Sequence, residues 1–97
     1  MSDERIEVEV KESDAGWTAV VVVEGRGTKT EQRVTVRRVS YEALAGGDAS
    51  PEELVRASFL FLLEREPKES ILRRFELPVI ERYFPDYPAV IASRLGR

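Results

Sequence analysis

The stretch Trp17-Thr18-Ala19-Val20-Val21-Val22-Val23 decides the fold. It is an apolar run of mostly β-branched residues, the type that suits a pleated surface. Because it does not alternate with polar residues, it predicts a central strand, over about 17–24, covered on both faces or nearly so. Upstream, Ile6, Val8 and Val10 alternate with Glu7, Glu9 and Lys11, the period of a strand with one wet face, over about 4–11. Asp14-Ala15-Gly16 supplies the turn between them. Downstream, Gly25-Arg26-Gly27-Thr28-Lys29-Thr30 predicts a flexible basic hairpin loop. Val34 and Val36 then alternate with Arg33, Thr35 and Arg37 in a third strand over about 30–38. The three strands form an antiparallel meander, although strand order does not follow from the sequence alone.

From residue 40 the period changes. Ser40-Tyr41-Glu42-Ala43-Leu44 reads as a short helical turn ended by Gly46-Gly47. Ser50-Pro51-Glu52-Glu53 is a helix start, with Ser50 as N-cap, Pro51 at the first helical position and Glu53 closing a capping box. The main helix is expected over about 51–66, where Pro67 stops it. Further helices follow over about 68–76, 78–84 and 87–95. In the first of these Ile71, Leu72 and Phe75 share a face, and in the second Val79, Ile80, Tyr83 and Phe84 form the stripe. Strands first and helices afterwards give a single α+β domain over 1–97, with three or four helices packed on one face of the sheet.

On a helical wheel, the apolar residues of the main helix, from Leu54 to Leu63, cover well over half of the circumference. Leu60 falls in the remaining polar sector, with Glu53, Arg56 and Glu64. The run Ser58-Phe59-Leu60-Phe61-Leu62-Leu63 therefore cannot point all its side chains at one surface. The segment from Ser58 through Glu64-Arg65-Glu66-Pro67 and Ile71-Leu72-Arg73-Arg74-Phe75 to Tyr83-Phe84-Pro85 resembles a signature shared by small bacterial proteins of no assigned function. That resemblance implies an uncharacterised bacterial protein and carries no catalytic or binding residue with it.

Composition narrows the chemistry. A chain of 97 residues, 42% of them hydrophobic, fits one core. With no cysteine, disulfides and thiolate metal sites are excluded, and with no histidine the commonest metal ligand and general base is missing. No cofactor or metal is expected. Met1-Ser2-Asp3-Glu4-Arg5 lacks the basic and apolar regions of a secretory leader, and no stretch approaches the roughly 20 apolar residues of a membrane span, so a cytoplasmic protein without membrane contact is expected. Thr28 precedes Lys29 where a phosphate loop requires glycine, and a strand follows where it requires a helix. Glu7 and Glu9 lie on the wet face of a strand, while Glu52 and Glu53 serve a helix N-terminus. No spacing marks a catalytic constellation, so the protein is not expected to be an enzyme.

Two functions remain. The preferred one is a protein-interaction or self-association module, in the simplest case a homodimer, using an open sheet edge or the surface around Leu60, Arg56, Tyr87 and Trp17. Tyr87 stands between Pro85 and Pro88, where a rigid aromatic ring either anchors a partner or packs back onto its own domain, and Trp17 opens a strand, where core or rim packing is the commoner role. The alternative is weak nucleic-acid binding through Arg26, Lys29, Arg37, Arg73 and Arg74. The net charge of −3, and the carboxylates Glu69, Glu76 and Glu81 among the helical basic residues, weigh against it. Periodicity does not resolve whether a pocket lies between sheet and helices.

Overall fold

The computed structural model describes residues 4–46 and 49–96. The readings made of Met1 to Asp3 and of Gly47 lie outside the described residues. Elements follow in the order β1 (Arg5–Ser13), β2 (Gly16–Gly25), β3 (Thr28–Arg37), α1 (Arg38–Ala45), α2 (Pro51–Leu63), a 3-10 turn (Lys68–Ser70), β4 (Arg74–Glu76), α3 (Val79–Tyr83) and α4 (Tyr87–Arg94). This is the α+β arrangement expected, with one strand more.

The sheet runs β1-β2-β3-β4, antiparallel through the first three strands and parallel between β3 and β4. Register places Val8 opposite Val21 and Ala19 opposite Val34, so the inner face is built of Ile6, Val8 and Val10, then Ala19, Val21 and Val23, then Val34 and Val36. The helices pack on that face, where Leu54, Val55, Phe59 and Phe61 of α2 complete the core. Thr18, Val20 and Val22 belong to the opposite face, half-buried between exposed Glu7 and Glu9 on one side and Glu31 and Arg33 on the other. The central strand is thus covered by helices on one face only. Its outer valines, Val20 and Val22, remain half-buried, with Glu7, Glu9, Glu31 and Arg33 as their cross-strand neighbours.

Two close backbone geometries explain glycines. The hairpin between β2 and β3 is a two-residue turn, with Arg26 and Gly27 both at positive φ (54° and 78°), the twist that continues a right-handed ribbon. The flexible six-residue loop expected there is therefore short, and Thr28 to Thr30 already pair in β3. At Gly16, a β-carbon would stand 2.2 Å from the Val36 carbonyl oxygen, so only glycine fits beside β3.

The capping box forms as expected: Ser50 Oγ accepts from the Glu53 amide, and Glu53 Oε1 accepts from the Ser50 amide, each at 3.1 Å. The helix ends at Leu63 rather than Glu66, since Pro67 excludes the helical conformation from the residue before it and clashes with the carbonyl four residues back. The helix expected over 68–76 is replaced by the 3-10 turn and β4. Arg74 and Glu76 are exposed while Phe75 and Leu77 are buried, a period of two. That segment satisfies the backbone of β3: the Arg33 amide donates to the Arg73 carbonyl at 2.7 Å, and the Leu77 amide donates to that of Thr35 at 3.1 Å.

β1 and β4 are the edges of the sheet. On β1, the Arg56 guanidinium reaches from α2 to the Ile6 carbonyl oxygen at 2.8 Å, so part of that edge is already occupied. No helix among the described residues is long and apolar enough to cross a membrane.

Candidate functional site: an apolar pocket between α2, β4 and α3

Pro67 turns the chain back at the end of α2, and the returning segment cannot fill the space it encloses. The result is a pocket of about 130 Å³ floored by Leu62, Ile71, Phe75 and Ile80, all buried. Leu72 and Tyr83 line it while remaining 46% and 66% exposed. Both had been expected to join buried stripes. They instead carry large apolar surface into water side by side at one opening, which a lone exposed leucine does not do.

Two polar residues, Glu66 and Ser70, share the lining. Glu66 is half-buried, and burial pushes its carboxyl above the ordinary carboxylate value. Its carboxylate has no ion pair or hydrogen bond among the described residues. Nearby cations are committed elsewhere. Arg65 stacks 3.6 Å above the Phe61 ring centroid and meets Asp86 at 3.1 Å, while Lys68 turns inward to Glu4 at 3.1 Å. Glu64, two residues earlier, behaves oppositely, because the hydrogen bond from Arg94 holds its carboxyl below the ordinary range.

A pH prediction separates these carboxylates. Where the folded state holds a Glu66 proton that the unfolded chain has released, stability falls as pH rises. Glu66→Gln removes that dependence and leaves Glu64 in place. Denaturant midpoints across the acid range should therefore show the wild type losing ground to Glu66→Gln as pH rises through the window between the ordinary and the raised value. A difference that is constant with pH would contradict the assignment.

Two other hollows are less suited to a ligand. A cleft of about 360 Å³ beside β3 is lined by Lys29, Thr30, Gln32, Lys68 and Arg73, among others. Many of its polar groups bond one another: Gln32 donates to the Lys68 carbonyl, Thr30 to Gln32, and Thr28 to Glu69. A groove of about 270 Å³ between α1 and the start of α4 exposes Val39 and contains Glu81 as its charged residue. No group of acidic residues able to hold a metal ion occurs among the described residues.

The residues singled out from sequence do not gather at the pocket. Leu60 is 48% exposed on α2 and stands apart from it. Arg56 is half-buried, bonded to Ile6 and 3.7 Å from Glu52. Trp17 packs edge-on against Tyr41 under the Arg38 guanidinium. Tyr87 is not a surface knob: it is fully buried, its hydroxyl 2.7 Å from Ser58 Oγ, which bonds the Leu54 carbonyl. Pro88 lies in the first turn of α4, which carries the Tyr87 ring into the core.

Arg26, Lys29, Arg37, Arg73 and Arg74 do not form one positive face either. Arg26 is at the hairpin tip, Arg37 is at the far end of β3 and bonded to Glu76 at 2.6 Å, and Arg73 and Arg74 are consecutive in an extended segment. The outer face mixes signs: Arg5 stands opposite Glu24 and Glu24 opposite Lys29, while Arg33 stands opposite Arg74 and Glu7 and Glu9 follow each other on β1. Its described strand residues include no aromatic on which a base could stack.

Comparison with known proteins adds no relative. No family model, curated protein or solved structure matches the chain.

Proposed function

We propose that this chain is a non-catalytic protein-interaction module that docks a partner peptide in the pocket between α2, β4 and α3. The observation that carries this reading is the pair of exposed apolar residues, Leu72 and Tyr83, at the mouth of a preformed apolar cavity. Anchors in such pockets contribute most of the binding energy of small interfaces. A cysteine-free chain fits the reducing cytoplasm as its place of work.

Selection of displayed random peptides against the purified protein tests this reading. Enriched peptides should share a large apolar anchor and lose binding to Leu72→Arg by about tenfold or more, the scale of a lost anchor contact. Leu60→Glu should leave both peptide binding and stability within about 0.5 kcal/mol of the wild type, as expected of an isolated exposed position. Peptides that bind Leu72→Arg as well as the wild type, or that are lost only with Leu60→Glu, would place the docking surface elsewhere.

A further inference from the structure

The charge at the pocket's lip specifies its occupant more closely, given that the pocket is the docking site. Glu66 is partly withdrawn from water among apolar neighbours, and no cation of the described residues reaches it, Arg65 and Lys68 being turned away. A carboxylate in that setting has lost hydration without gaining a partner, and a cation brought from outside restores the balance. The cavity of about 130 Å³ approaches the size at which an engineered protein cavity, about 150 Å³, accepts benzene. It therefore has room for one phenyl ring or one branched aliphatic group.

We propose that the pocket takes a single aromatic or branched aliphatic side chain of a partner peptide, and that Glu66 holds an ammonium or guanidinium group lying next to that side chain on the same peptide. Charge complementarity selects this partner over an acidic or purely apolar one. Ser70, also in the lining, offers a hydroxyl to the peptide backbone beside the anchor.

Three probes that share a phenyl ring and differ in charge test the inference: 2-phenylethylamine, 2-phenylethanol and 3-phenylpropionate, titrated against the full chain at pH 7 with amide chemical shifts as readout. Binding should be on the order of millimolar for molecules of this size. The expected result is that all perturbations centre on Leu72, Ile80 and Tyr83, with the amine tighter than the alcohol by about five- to tenfold, the difference between a charge-assisted and a neutral hydrogen bond. The carboxylate should bind weakest. Glu66→Gln should bring the amine and the alcohol level while the alcohol's affinity stays as it was, and Leu72→Arg, at an exposed position, should weaken the amine and the alcohol. If amine and alcohol bind the wild type equally, or if Glu66→Gln leaves their ratio unchanged, the role of Glu66 is overturned and the docking pocket stands. If no probe perturbs the pocket, both fall. A mass by light scattering that rises with concentration in the wild type and not in Leu72→Arg would assign the pocket to a second copy of the chain, overturning the peptide partner.

Discussion

Phe61→Ala should lower the unfolding free energy by about 3–5 kcal/mol, the range for truncating a fully buried aromatic. A domain of this length has about 5–15 kcal/mol in total, so the variant should be marginal at 25 °C. The size of the effect follows from what meets at this ring. Phe61 is fully buried, with Phe84 and Tyr87 approaching edge-on at 5.8 Å and 5.3 Å between centroids. Arg65 covers it at 3.6 Å and is held there by Asp86 and by the Phe61 carbonyl. Truncation removes the aromatic contacts and the surface on which the guanidinium rests, and so loosens α4 from α2. Phe61→Leu, which keeps most of the volume, should cost only about 1–1.5 kcal/mol. Urea denaturation followed by far-ultraviolet circular dichroism gives both values. Equal costs for the two substitutions would show that filling the volume does not compensate for the lost ring, contrary to this expectation.

Lys68→Met should cost about 3 kcal/mol, which for a domain of this size lowers the melting temperature by about 4–8 °C per kcal/mol. A lysine with 4% of its side chain exposed is unusual, and this one sits where three segments converge. Its ammonium bonds Glu4 Oε2 at 3.1 Å and the Gly25 carbonyl at 3.0 Å, joining the start of β1 to the end of β2 and to the 3-10 turn. Methionine fills similar volume but takes the Lys68 ammonium away from a mostly buried carboxylate. The double variant Glu4→Gln/Lys68→Met should recover part of the loss, because it also removes the carboxylate charge that Lys68 balanced. A double variant no more stable than Lys68→Met alone would mean that the charge on Glu4 is not the source of the penalty.

Sequence patterns revealed the meander because each strand keeps one apolar row, and a shift by one residue would turn that row outward. They revealed α2 because the capping box at Ser50 and Glu53 is a local signal that tertiary context did not need to override. They failed at residues 68–76, where Ile71, Leu72 and Phe75 fit a helical face as well as Phe75 and Leu77 fit a strand. A three-residue strand carries too little pattern to decide, and what selects it is the unpaired edge of β3, remote in sequence. The pocket was hidden for the same reason. Leu72 and Tyr83 look like core residues in any window, and only the path of the chain after Pro67 leaves them at the surface. Tyr87 was open to both readings, because flanking prolines describe the stiffness of a segment and say nothing about which way its ring points; the ring packs inward.

The parallel pairing of β4 with β3 is the most non-local contact of the sheet. β1, β2 and β3 close through short turns, whereas β4 meets β3 only across the intervening α1 and α2. Its ladder is brief, and the segment around it supplies several walls of the pocket. Amide hydrogens of β2 and β3 should therefore exchange last, through global unfolding, while those of β4 and α3 escape through smaller openings. The pocket would then be the first part of the molecule to breathe, so that a ligand bound there would lower the frequency of those openings.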